Sequence, residues 1–228
     1  MSKQITIDGF NGTGKTTLAR SLSQRLDYIY ISTGIIFRSL SYCLLKDDIH
    51  LSDLEAINEI LEKIDLKMPD NRSKVIMING NDVTKEIMDM KYAIFASKIS
   101  DNHLLQSSVR KYIRNYSKGK NVIIDGRDTG RLIYPNADLK LALIADIQVR
   151  AKRRINQSNK SGYSLENIIN QINEIDKKLI ETNCIPPIDA IKIDTTELSA
   201  EDVLQRAIQI CNEKGIIQRT GIEKEIER

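Results

Sequence analysis

Between Lys3 and Asp8, Ile5 and Ile7 alternate with polar neighbours, a period of two that predicts a short strand. The period then lengthens: Leu18, Leu22 and Leu26 recur every fourth residue and predict a helix. Tyr28 to Ile31 reads as a second strand, broken at Ser32-Thr33-Gly34, where a helix starts that carries Phe37 and Arg38 about one turn in. Ser52-Asp53-Leu54-Glu55 has the form of a capping box, with Leu54, Ile57, Leu61 and Ile64 on one helical face behind it. Lys67-Met68 and Val75 to Ile78 flank a turn signal at Pro69-Asp70-Asn71, and Asn79-Gly80-Asn81-Asp82 supplies another, so a small antiparallel sheet is expected. Asn121 to Asp125 is a third strand, more continuously apolar through Val122, Ile123 and Ile124, as a buried central strand requires. Leu139 to Ala145 and Ala190 to Asp194 predict two more strands, and Ser199-Ala200-Glu201-Asp202 caps a last helix carrying Val203, Leu204, Ala207, Ile208 and Cys211. Strands alternating with helices predict an α/β chain with a parallel sheet, and the 228 residues leave room for inserts. No internal repeat or low-complexity run is present, and the charged stretch from Gln218 to Arg228 is expected to fray.

Composition narrows the chemistry by exclusion. With 41% hydrophobic and 29% charged residues the chain can bury a core. A net charge of +3 does not argue for nucleic acid, though it permits a local basic cleft for a small anion. Cys43, Cys184 and Cys211 are far apart, and with His50 and His103 they offer no metal-ligand spacing. Reduced, partly buried thiols are the expectation, and zinc enzymes, His-based hydrolases and disulfide scaffolds are set aside. No apolar window approaches the roughly 18 residues of a spanning helix, and no export segment is evident. A cytoplasmic protein that binds neither membrane nor nucleic acid is expected.

The predicted first strand runs into Gly9-Phe10-Asn11-Gly12-Thr13-Gly14-Lys15-Thr16, which satisfies G-x-x-x-x-G-K-[ST] at every fixed position and opens the first helix. Wrapping a triphosphate needs backbone N–H groups at close range, and Gly12 and Gly14 permit that approach. Lys15 can reach the β- and γ-phosphates, and the Thr16 hydroxyl can ligate Mg²⁺. The glycine spacing is not that of a dinucleotide fold, and no N-K-x-D guanine motif occurs. Asp125 ends a buried strand, where a Walker-B-like partner of Mg²⁺ through water belongs, and Arg127 and Asp128 follow it into the crevice where open α/β sheets bind ligands.

Several stretches, in order, carry a family resemblance. They are Ile7 through Thr17, Ser32-Thr33-Gly34-Ile35-Ile36-Phe37-Arg38, Gly80-Asn81-Asp82-Val83-Thr84, Ile124 through Gly130, Tyr134 through Lys140, Arg150-Ala151-Lys152-Arg153-Arg154 and Ile193-Asp194-Thr195-Thr196. Together they resemble the bacterial cytidylate kinases, P-loop nucleoside monophosphate (NMP) kinases that phosphorylate CMP and dCMP with ATP. The P-loop is shared by many families, whereas G-R-D-x-G followed by P-x-A-x-x-K is specific. The resemblance implies a three-layer P-loop NTPase fold with a five-stranded parallel core sheet. The core would comprise residues 1–34, 106–149 and 189–228, with an NMP-binding insert at 35–105 and a lid at 150–188. It implies ATP bound by Gly9, Phe10, Asn11, Gly12, Thr13, Gly14, Lys15, Thr16 and Thr17, with Mg²⁺ on Thr16 and, through water, Asp125. Thr33, Phe37, Arg38, Ser97, Arg110, Arg127, Asp128 and Asp176 would hold the acceptor. Arg38 and Arg127 would grip its phosphate; Ser97, Arg110 and Asp128 would read cytosine; Asp176 would take the sugar hydroxyl. Lys15, Arg127 and Arg154 would carry the transferring charge, and a monomer is expected.

The lid departs from the family pattern. Where R-D-x-x-D-x-x-R belongs, this chain has Ile172-Asn173 and Leu179 around Asp176, and Leu165, Ile168, Ile172, Ile175 and Leu179 form an apolar stripe. Met88 stands where an arginine often follows Ile87. A charged hydrogen bond contributes about 1.5–3 kcal/mol, so two unreplaced arginines correspond to roughly a hundredfold or more in acceptor binding or turnover. Lys177 and Lys178 are possible replacements without the bidentate fork. The stripe could pack on the core or on a partner chain. A retuned acceptor, or a nucleotide-binding regulator without transfer, stands as the alternative.

Overall fold

The computed structural model describes residues 2–69, 73, 75–158 and 164–217. The turn expected at Asp70-Asn71 and the stretch from Gln218 to Arg228 lie outside them. In chain order the elements are β1 (Gln4–Gly9), α1 (Lys15–Leu26), β2 (Ile29–Ser32), α2 (Thr33–Lys46), α3 (Leu54–Lys63), β3 (Leu66–Lys67), β4 (Met77–Ile78) and β5 (Asn81–Asp82). A 3₁₀ turn at Glu86–Met88 precedes α4 (Met90–Ser100) and α5 (His103–Ser117). Then come β6 (Val122–Gly126), α6 (Thr129–Leu132), β7 (Leu139–Ile144), α7 (Ile147–Ser158), α8 (Leu165–Glu181), β8 (Ile191–Asp194) and α9 (Ala200–Glu213).

Five parallel strands form the main sheet in the order β2-β6-β1-β7-β8. From β1 the chain crosses toward β2, and from the adjacent β6 it crosses toward β7. The crevice between their carboxyl ends is therefore the topological switch point, where such sheets bind ligands. Alternation along the strands sorts the core into two layers. Ile5, Ile7, Ile123, Leu139, Leu141 and Leu143 pack with Leu18 and Leu22 of α1 and Val203, Ala207 and Ile210 of α9. Val122, Ile124 and Ile31 face the other way, against α2, α3 and α5. This is the expected three-layer P-loop NTPase fold.

The segment expected as an insert has no core of its own. Leu40 and Leu44 of α2, Ile57 and Leu61 of α3, Leu66, Ile78 and Ile99 share one buried cluster with Ile31, Val122 and Ile124 of the main sheet. The antiparallel β3-β4-β5 sheet is present, and Asn79 and Gly80, with φ of 50° and 80°, make its β4–β5 turn, while Asn81 and Asp82 belong to the strand. The capping signal at α3 sits one residue later than expected: Asp53 is the N-cap and accepts from the Ala56 N–H at 3.0 Å. At α9 the capping box between Ser199 and Asp202 forms as the spacing predicts.

The apolar stripe on α8 packs within the chain. Ile168 and Ile172 of α8 are buried against Ala151 of α7, flanked by Ile147, Ile155 and Leu165. Leu179 is buried as well, and Ile175 is only half-buried. An arginine at position 172 would put its charge into this helix–helix seam.

Candidate active site

Backbone geometry builds the phosphate loop. Gly12 has φ of 81°, and a Cβ there would lie 3.0 Å from the Arg150 Cβ, so no side chain fits without displacing α7. Carbonyls on the outer side of the loop are held by protein donors. Arg150 Nη1 reaches the Asn11 carbonyl at 3.4 Å, Arg153 Nη1 the Gly12 carbonyl at 3.4 Å and the Thr195 hydroxyl the Thr13 carbonyl at 3.0 Å. Among the described residues the N–H groups of Asn11 to Gly14 have no acceptor within the chain. A loop braced by its carbonyls, with its amides open, is an anion cradle at a helix N-terminus.

Lys15 is on the first turn of α1, and its Nζ donates to the Phe10 carbonyl at 2.9 Å. Burial pushes its ammonium down to about 8; Arg127 and Arg150 act in the same direction, and Asp125 and Asp8 oppose them. An anionic ligand beside it would favour the charged form. The Thr16 hydroxyl donates to Asp125 Oδ2 at 2.7 Å, Tyr30 OH donates to Asp125 Oδ1 at 3.3 Å and the Thr33 hydroxyl donates to the Asp125 carbonyl at 3.0 Å. Gly126 must remain glycine, because a Cβ there would lie 2.2 Å from Thr129 Cγ2.

Arg127 and Asp128 follow β6 into the crevice. The Arg127 guanidinium makes no hydrogen bond or ion pair among the described residues, yet its charge acts on both Lys15 and Asp128. Asp128 is raised by burial, against the nearby charges of Arg131, Arg110 and Arg127. Arg110 is held by Gln106 on its own helix. Thus Lys15, Thr16, Thr33, Asp125, Arg127, Asp128 and Arg110 converge on one crevice.

The other expected residues sit apart from that group. Arg38 Nη1 donates to the Ile87 carbonyl at 3.1 Å and lies 3.9 Å from the Met88 sulfur, which occupies the place expected of an arginine. Phe37 packs on the α2–α3 core. Ser97 is exposed on α4, and Arg154 is half-buried on α7 without a bond among the described residues. Asp176, expected at the acceptor sugar, is buried in an ion pair with Arg150 at 2.7 Å, and Arg150 in turn covers the Phe10 ring at 5.8 Å. Both line a cleft of about 840 Å³ with Phe10, Thr13, Asn173 and Lys177. Lys178, one of the two candidate replacements, is paired with Asp101 at 2.7 Å. Of the basic cluster on α7, Arg150 and Arg153 are structural: Arg153 also donates to the Thr195 carbonyl at 2.6 Å.

Asp8 carried no assigned role in the sequence reading. It is fully buried in β1, and its carboxylate accepts from the Thr129 N–H, the Thr129 hydroxyl and the Gly130 N–H, each at 2.8 Å. It thereby fixes the start of α6 and the G-R-D segment before it. The signal was an acid inside a buried strand, which requires partners. Burial pushes it from 3.8 up to about 6, against those three bonds. The folded chain therefore holds the extra proton between about pH 4 and 6; the contribution is full below pH 4 and is lost as pH rises through 6. A shift of about two units corresponds to roughly 2–3 kcal/mol. The stability of the wild type relative to Asp8→Asn should fall by that order between pH 4 and 6.5 in thermal melts. A difference flat with pH would contradict the assignment.

The metal question is one of donor type. No group of three or more His, Cys, Asp or Glu side chains suited to a metal occurs among the described residues. A hydroxyl and a carboxylate in contact, Thr16 with Asp125, suit a hard cation that keeps its waters and shares nucleotide phosphates. The cysteines behave as expected of inert thiols: Cys43 and Cys211 are buried and pushed up to about 11, and Cys184 to about 12, all by burial. Among the described residues no helix is long and apolar enough to cross a membrane.

Comparison with known proteins agrees with this geometry. The chain is 35% identical over 213 residues to a cytidylate kinase of Caldicellulosiruptor bescii, covering 90% of this chain and 94% of that one. It is 33% identical to a cytidylate kinase of Halalkalibacterium halodurans, covering 92% and 97%. A crystal structure of an uncharacterised protein from Eubacterium ventriosum shares the fold at 13% identity, with a TM-score of 0.52 over 93% of this chain and 99% of that one. The family profile described as cytidylate kinase matches residues 5–213. With the P-loop, Asp125 and the G-R-D segment gathered at one switch point, the chain belongs to the cytidylate kinase family.

Proposed function

We propose that the chain transfers the γ-phosphoryl group of ATP to CMP or dCMP, releasing ADP and CDP or dCDP. The observation that carries this reading is the position of Arg127, a guanidinium without a partner among the described residues, whose charge acts on Lys15 of the phosphate loop and on Asp128 of the acceptor side. One cation between two anion-binding halves is what an in-line transfer between phosphates needs.

ATP lies along Gly9 to Thr17, its phosphates on the loop amides and on Lys15. The acceptor phosphate lies on Arg127 and its cytosine is read by Asp128 and Arg110; Arg38, Ser97 and Asp176, which sit apart from that group, join the acceptor only by moving toward it, Arg38 leaving the Ile87 carbonyl and Asp176 leaving Arg150. Thr33 and Phe37 line the entry to this side. Thr16, with Asp125 through water, would hold Mg²⁺, which when bound would neutralise phosphate charge. A monophosphate is already anionic and needs no strong base, so these residues act by positioning and by stabilising charge on the transferring group. Arg154, without a bond among the described residues on α7, is the lid cation able to join them on closure, and closure of α7 and α8 excludes water from the phosphates. Segment 35–105 serves as the acceptor-binding part and 150–188 as the lid. The protein acts on small nucleotides as a cytoplasmic monomer.

ADP release is to be followed with ATP and Mg²⁺ across CMP, dCMP, UMP, AMP and GMP. Release dependent on CMP or dCMP is expected. Preference for another acceptor, or ATP and CMP binding without turnover, would overturn the proposal.

A further inference from the structure

No motif marks Arg131, yet it holds the acceptor side together. Its Nη2 lies 3.3 Å from Asp128 Oδ2 and donates as well to the Asn183 carbonyl. That carbonyl is fixed by the turn that closes α8. Asn183 has φ of 52°, its N–H reaches the Ile180 carbonyl at 3.0 Å, and the Cys184 N–H reaches the Leu179 carbonyl at 2.7 Å. This pair of bonds is the Schellman arrangement, with asparagine in the left-handed position usually taken by glycine.

Asp128 is faced by Arg131 from α6, Arg110 from α5, Arg127 beside it, the Cys184 thiol after α8 and Asp8 from β1. Among the described residues Arg131 is the only cation in ion-pair contact with it. Leu179, where the family pattern has an arginine, is buried and brings no charge to this end of α8. Arg131 reaches the same end from the opposite element.

We infer that Arg131 is a positioning residue that keeps the Asp128 carboxylate a pure hydrogen-bond acceptor, and so sets the preference for cytidine over uridine monophosphates. The inference rests on Asp128 reading the base. An ionised carboxylate accepts from the exocyclic amino group of cytosine and repels the carbonyl that uracil carries at that position. A protonated carboxyl can donate to that carbonyl, and discrimination falls. Burial already raises Asp128, and Arg131 is the largest opposing charge.

The test is kcat/KM for CMP and for UMP, from pH 5 to 8.5, for wild type, Arg131→Gln and Arg131→Lys, each checked by thermal melting. In the wild type the CMP:UMP ratio should fall with decreasing pH. Arg131→Gln should move the midpoint up by about one unit, the lower end of the effect of a neighbouring opposite charge, and so lower the ratio by up to about tenfold at pH values below that midpoint. KM for CMP should rise while KM for ATP holds. Arg131→Lys, which keeps the charge without the fork to Asn183, should return the midpoint toward wild type. A glutamine variant with the wild-type ratio and midpoint, or a lysine variant identical to it, would overturn the inference. Failure of the functional reading is read separately, on the wild type: it would show as preference for an acceptor other than CMP.

Discussion

Lys15→Ala should lower kcat for CMP phosphorylation by about 10³-fold, the upper range for removing one preorganised charge donor from a water-excluded site. Two features make the effect large. The ammonium is buried beside Arg127 and Arg150, so it is already destabilised and gains most when phosphate charge arrives. Its bond to the Phe10 carbonyl holds it at the mouth of the loop, close to where the phosphates lie. Stability should not follow activity, because the side chain fills no core position and a desolvated charge is removed with it. The check is steady-state kinetics alongside melting: a loss below tenfold, or one matched by unfolding, would count against Lys15 as a catalytic group.

Breaking the Arg150–Asp176 pair from one side should be strongly destabilising to the packing of α7 on α8. The two side chains are 7% and 11% exposed and meet through Nη2 and Oδ2 at 2.7 Å, while Arg150 Nε and Asp176 Oδ1 have no hydrogen-bond partner among the described residues. Arg150→Met leaves an uncompensated buried carboxylate and should cost about 3–5 kcal/mol. For a chain of this length that is roughly 6–20 °C in Tm. The double change Arg150→Met with Asp176→Leu removes both desolvated charges and should recover most of the loss. Additive losses in the double variant would show that the pair is not coupled. The result also bears on the phosphate loop, because this pair joins α8 to it through Asn11 and Phe10.

Restoring the family arginine at Leu179 is a poor route to higher activity for the same reason. That position is buried, so a guanidinium there would have to be desolvated and paired before it could act. Asp128 has a paired cation already, in Arg131, reached from α6.

What the sequence determined by itself is local. The strand alternation at Ile5 and Ile7, the four-residue spacing of Leu18, Leu22 and Leu26, the Ser199–Asp202 cap and the Gly9–Thr16 loop are written in contiguous residues, and the structure realises each of them. Short periods reflect backbone geometry, which needs no distant partner. Asp125 and the G-R-D segment were legible because the end of a buried strand is a position the chain itself marks. The tertiary structure decided what depends on residues far apart in the chain. Asp8 caps α6 across 121 residues, Arg153 and Thr195 brace the loop from beyond residue 150, and Arg131 meets Asn183 across 52. The stripe on α8 could have faced a partner; only packing showed that it faces α7. Periodicity states that a face is apolar and says nothing of what covers it, because burial is a property of the whole folded chain.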